Sequence, residues 1–94
     1  MFLDFSSENV NEVPATEGVI QLFDEDKKVL YIAGTMNIRE ALEELLSGDE
    51  HDVSNVCYFE YEENDMYSKK ESELMQQYMQ EHGGLPELND DLPF

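Results

Sequence analysis

Two residues of this 94-residue chain have the type and setting for chemistry, Glu71 and Tyr31. Glu71 stands three residues after Ser68, the S-x-x-E spacing of a helix capping box, in which the carboxylate bonds a free backbone N–H and favours the helix N-terminus. It also lies three and four residues before Leu74 and Met75, extending an apolar helix stripe inward, where a carboxylate can hold a divalent metal. Tyr31 sits in the apolar run 29–33 and reads either as a core aromatic, which strands favour whatever the function, or as a catalytic phenol. The remaining candidates are weaker. His51 and His82 have no second ligand at metal-binding spacing, and His82 suits a helix C-terminus when protonated. Ser6, Ser7, Ser68 and Ser72 lack the context of a nucleophile elbow. Asp24, Glu25 and Asp26, like Asp90 and Asp91, lack calcium-loop spacing and read as solvated charge. Cys57 is the single cysteine, so it forms neither an intrachain disulfide nor a cysteine metal cage; its apolar surroundings predict a buried small hydrophobe.

The elements that would position these residues follow from hydrophobic periodicity. Val19, Ile20, Leu22 and Phe23 predict a strand over 18–23, and the run 29–33 a second; the polar stretch 24–27 joins them as a hairpin. Ile38, Ala41, Leu42, Leu45 and Leu46 repeat with helical spacing, begun by the pair Asn37 and Glu40 or by Thr35, and stopped by Ser47-Gly48. A solvated loop covers 49–55. Residues 56–61 predict a third strand, with Cys57, Phe59 and Tyr61 on one face. The second helix starts at the Ser68/Glu71 box, carries the stripe Leu74, Met75, Tyr78 and Met79, and ends at Gly83-Gly84. The fold class expected is α+β: a small three-stranded sheet in the order β-hairpin, helix, strand, helix. Residues 1–16 form an N-terminal arm that packs through Phe2, Leu3 and Phe5, residues 17–89 the domain, and residues 90–94 an acidic C-terminal tail.

Charge narrows the partners. The chain carries 5 Lys+Arg against 23 Asp+Glu, a net charge of −18. Affinity for nucleic acid or anionic lipid comes largely from basic side chains displacing counterions, so direct binding to either is not expected. An acidic surface serves solubility, or meets a basic protein and speeds encounter with it, or imitates nucleic acid. No basic stretch followed by a long apolar run marks a secretory signal, and no segment approaches 18 apolar residues; the expectation is a cytoplasmic protein with no membrane association. The sequence sets no oligomeric state.

Several short motifs occur in an order that resembles the GIY-YIG endonuclease superfamily. They are Gly18-Val19-Ile20; Tyr31-Ile32-Ala33 followed by Gly34; Thr35, Asn37, Ile38 and Leu42; and Glu71 with Leu74, Met75 and Tyr78, closed by Leu85-Pro86 and Asn89. The resemblance implies metal-assisted phosphodiester hydrolysis, in which a glutamate holds Mg²⁺ or Mn²⁺, tyrosines stand near the nucleophilic water and a helix arginine stabilises the phosphate charge. Glu71 falls at the metal-ligand position and Tyr31 at the second-motif tyrosine. Ile20 replaces the first-motif tyrosine, and Ala41 stands where the arginine is expected. Arg39, two residues earlier, lies about 200° around the helix and should point away from Ala41's face. With these departures the resemblance implies a catalytically inactive domain without a cofactor, serving as a protein-interaction or regulatory module for a basic protein. The alternatives are a Mg²⁺- or Mn²⁺-dependent endonuclease and an acidic DNA mimic bound by a basic nucleic-acid-binding protein.

Overall fold

A strand covered on both faces reads as a nearly continuous apolar run, and Gly18–Phe23 is such a run. In the computed structural model, which describes residues 2–48 and 53–90, it is the second of four strands. These are β1 (Leu3–Asp4), β2 (Gly18–Phe23), β3 (Val29–Thr35) and β4 (Tyr58–Glu63). The helices are α1 (Ser7–Glu12), α2 (Ile38–Ser47), α3 (Tyr67–His82) and α4 (Glu87–Asp90). The sheet is antiparallel throughout, in the spatial order β1–β4–β2–β3. β2 therefore has a partner on each side. On one face Ile20, Leu22 and Phe59 pack with Ile38, Leu42 and Leu45 of α2 and with Val10 and Val13. On the other, Val19 and Ile32 pack with Tyr78 of α3, flanked by Tyr67, Leu74 and Met75.

The hairpin and α2 form where periodicity places them. The Asp24 carboxylate accepts from the backbone N–H groups of Asp26 and Lys28, both at 2.9 Å, so it holds the turn rather than serving as mere solvated charge. Asn37 caps α2 by accepting from the Glu40 N–H at 3.0 Å, while Thr35 Oγ1 accepts from the Asn37 N–H at 3.1 Å and steadies the cap. Gly48 ends the helix with left-handed φ of 39°. Gly18 has a different constraint: a Cβ there would collide with the Glu62 carbonyl oxygen and lie 2.6 Å from Ile38 Cδ1.

Several expectations need correction. The sheet has four strands, not three, because the N-terminal arm adds β1, with Leu3 opposite Phe59 and Asp4 opposite Tyr58. The arm also folds into α1, capped by Ser6, and places Val10 and Val13 in the main core; six residues with one inward side chain are too short to show a helical period. β4 starts at residue 58, not 56, and Cys57 is exposed rather than buried. The chain is still turning at Val56, whose N–H bonds the Val53 carbonyl, so the alternation set by Phe59 does not run back to Cys57 and Val56 packs inward instead. Finally, α3 starts at Tyr67 and the Ser68/Glu71 capping box does not form: Met66 precedes the helix without a side-chain cap, and Asn64 Oδ1 accepts from the Met66 N–H at 2.8 Å. Of the stripe expected on this helix, Met79 is exposed. His51, part of the loop expected over 49–55, and all of the expected tail except Asp90 lie outside the described residues.

The outer edge of β3 is closed by α4. Asn89, 3 % exposed, accepts from the Ile32 N–H through Oδ1 and donates to the Ile32 carbonyl through Nδ2, both at 3.0 Å. One side-chain amide thus pairs with the strand as a neighbouring strand would. Replacing Asn89 by Ala leaves a buried donor and acceptor unpaired, each worth about 1–3 kcal/mol. Urea unfolding of Asn89→Ala should show a loss of at least about 2 kcal/mol on that basis; an unchanged midpoint would mean that water replaces the amide without penalty.

Candidate functional site

Strand alternation turns Ile20, Tyr31 and Ala33 toward α2, with Ile20 opposite Ala33 and Leu22 opposite Tyr31 in the register of the hairpin. From α2, the positions Ala41, Glu44, Leu45 and Gly48 share one face at i, i+3, i+4 and i+7. Alanine at 33 and at 41 leaves space between the two elements, and a cleft of about 540 Å³ opens there. Its floor is apolar, with Ile20 and Leu45 buried and the two alanines half-buried. Tyr31, Thr35, Ser47 and the exposed Glu44 supply its polar groups.

Glu71 of α3 does not line this cleft but lies behind it, across β3 at Gly34. Gly34 lines the cleft, and a Cβ on Gly34 would lie 3.0 Å from the Tyr67 ring and 3.3 Å from Glu71 Oε2. The missing side chain is what lets α3 lie close over β3 and bring its carboxylate there. Burial first, and then the negative charge of Glu71, push the Tyr31 phenol above the ordinary tyrosine value. At neutral pH the phenol is therefore protonated and can donate a hydrogen bond.

The residues singled out from sequence thus fall into two groups. Tyr31, Ile20 and Ala41 line one cleft, and Glu71 adjoins it through Gly34. Arg39, the chain's single arginine, does not line it; its Nε donates to the Val13 carbonyl at 2.9 Å and ties α2 to the end of the arm. Lys27 stands over the rings of Phe2 and Tyr58, 5.2 and 5.9 Å from their centroids. His82 stacks on Tyr78 at the end of α3, with ring centroids 4.2 Å apart. No basic side chain lines the cleft among the described residues. Among those residues no group of three or more His, Cys, Asp or Glu side chains is arranged around a metal position, and Glu71 would offer a metal one carboxylate. Glu44, the charged member of the lining, was missed from sequence; its place three residues after Ala41 was the available signal.

The family model described as Domain of unknown function (DUF7508) matches residues 2–82, and the chain belongs to that family. The match takes in the N-terminal arm, the four strands and α1 to α3, and stops before α4. Comparison with curated proteins finds no match. No described helix is long and apolar enough to cross a membrane.

The perturbed phenol gives a pH prediction. Because folding raises the Tyr31 pKa, its effect on stability is flat below the ordinary tyrosine value, and stability falls as pH climbs from there through the folded-state value. The difference in ultraviolet titration between the native protein and Tyr31→Phe should isolate a late-titrating phenol. In a Glu71→Gln background that phenol should titrate earlier, though still above a free tyrosine, since burial remains. No movement in Glu71→Gln would remove Glu71 as a cause.

Proposed function

We propose that this chain is a degenerate relative of the GIY-YIG endonucleases that has lost phosphodiester cleavage and acts as an interaction or regulatory module for a basic protein. The observation that carries this reading is the cleft beside Tyr31, where Ala41 and Ile20 contribute only hydrocarbon and Glu44 supplies the charge. Among the described residues a phosphodiester entering that cleft meets a carboxylate and no cation. Loss of one transition-state charge partner alone removes about 3–4 kcal/mol, or 10²–10³ in rate. The net charge of −18 complements a basic surface and favours encounter with it; the same charge supports the separate alternative of an acidic DNA mimic bound by a basic nucleic-acid-binding protein.

A second reading, a Mg²⁺- or Mn²⁺-dependent endonuclease, has one observation in its favour: beside its burial, the Tyr31 phenol feels the charge of the Glu71 carboxylate across β3.

Two measurements separate these readings. Purified protein incubated with single-stranded, duplex and branched DNA in Mg²⁺ or Mn²⁺ should show no cleavage above a Glu71→Ala control. Cleavage that disappears in Glu71→Ala would establish the nuclease instead. Affinity capture at low and moderate salt should return a stable basic partner, and its absence at both would count against the interaction module.

A further inference from the structure

The cleft combines features that together select a ligand chemistry. Its floor, Ile20, Ala33, Ala41 and Leu45, is hydrocarbon and suits an aliphatic stem. Glu44 is exposed at the cleft, and Glu71 sits just beyond Gly34. Among the described residues no compensating cation lines it, and Arg39 is held by the Val13 carbonyl. An anionic ligand would be repelled, and a neutral one would leave Glu44 unused. A long side chain with an apolar stem and a cationic head satisfies both parts, because such stems lie along apolar surface while the head stays at the polar rim. The volume of about 540 Å³ falls within the range of ligand-sized clefts.

Resting on the partner-binding reading above, we propose that the cleft receives one arginine side chain from the basic protein, its methylene stem on Ala33 and Ala41 and its guanidinium on Glu44. Arginine fits better than lysine for two reasons. Its planar fork can pair with a carboxylate through two hydrogen bonds, and it stacks on an aromatic face, which the Tyr31 ring supplies at the same cleft. Glu71 adds negative potential behind that ring.

The test uses the full chain, labelled with nitrogen-15, and three capped tripeptides that differ only in the central residue: Gly-Arg-Gly, Gly-Lys-Gly and Gly-citrulline-Gly. The arginine peptide should give saturable amide shifts confined to Ala33, Thr35, Ala41, Glu44 and their neighbours. The lysine peptide should bind more weakly, and citrulline, which has the same shape without the charge, at least tenfold more weakly. Glu44→Gln, a change at an exposed position, should weaken the arginine peptide at least fivefold without altering thermal unfolding. Ala41→Leu, which fills the floor, should abolish the shifts if it folds.

Shifts spread across the acidic surface, equal binding of the lysine peptide, or an unchanged affinity in Glu44→Gln would each overturn the proposal. Capture of a basic protein by Glu44→Gln as strongly as by the native chain would sink the arginine site and keep the partner-binding reading. Failure of the native chain to bind any basic protein would sink that broader reading first.

Discussion

Halfway along the outermost strand of the sheet, the backbone N–H and C=O of Ile32 face away from β2 and meet the side-chain amide of Asn89. An edge strand with free backbone groups invites pairing with other chains, and a buried one without partners is destabilised. The amide meets both constraints at once and fastens α4 to β3. That fixes the strand which carries Tyr31, Ala33, Gly34 and Thr35, four of the residues around the cleft. The far C-terminal part of the described chain thus governs the shape of a site built almost wholly from its first half.

The same strand shows how small residues shape a surface. Alanine at 33 and at 41 opens the cleft on the α2 face, while Gly34 lets Tyr67 and Glu71 close in on the opposite face. Neighbouring positions on one strand thus serve two faces of the sheet: burial first, and then a carboxylate on α3, raise the pKa of a phenol that packs on the α2 side. The negative potential at the cleft is then a property of the two helices together with the strand between them.

Much of this was legible in the residues. The apolar run at 18–23, the polar turn and the run at 29–33 specify a hairpin with little ambiguity, and the i, i+3, i+4 pattern of α2 gives both its extent and the face it buries. Tyr31, Ile20 and Ala41 are grouped from sequence only through the GIY-YIG resemblance; strand alternation and helix phase are the physical reason they line one cleft. The failures are local. β1 and α1 are too short to carry a period, and their stability comes from the packing of Leu3, Val10 and Val13 on a core formed by other elements. The S-x-x-E pattern at Ser68 is overridden by Asn64, whose side chain sets the turn before α3. Cys57 is misplaced because apolar neighbours in sequence say nothing about where a strand's alternation begins. The pairing of Asn89 with Ile32 spans 57 positions, and no local pattern encodes a contact of that separation.

β1 is only two residues long, yet it covers the outer side of β4, and the next residue, Phe5, donates its N–H to the Cys57 carbonyl at 3.0 Å. Clipping those first residues would bare a strand that carries Tyr58 and Phe59, and the vacated lane would suit the same segment from another molecule. A trimmed molecule would therefore offer β4 as an open edge, which the same segment of an intact copy could cover, so the few residues of β1 serve as a guard against edge-to-edge pairing.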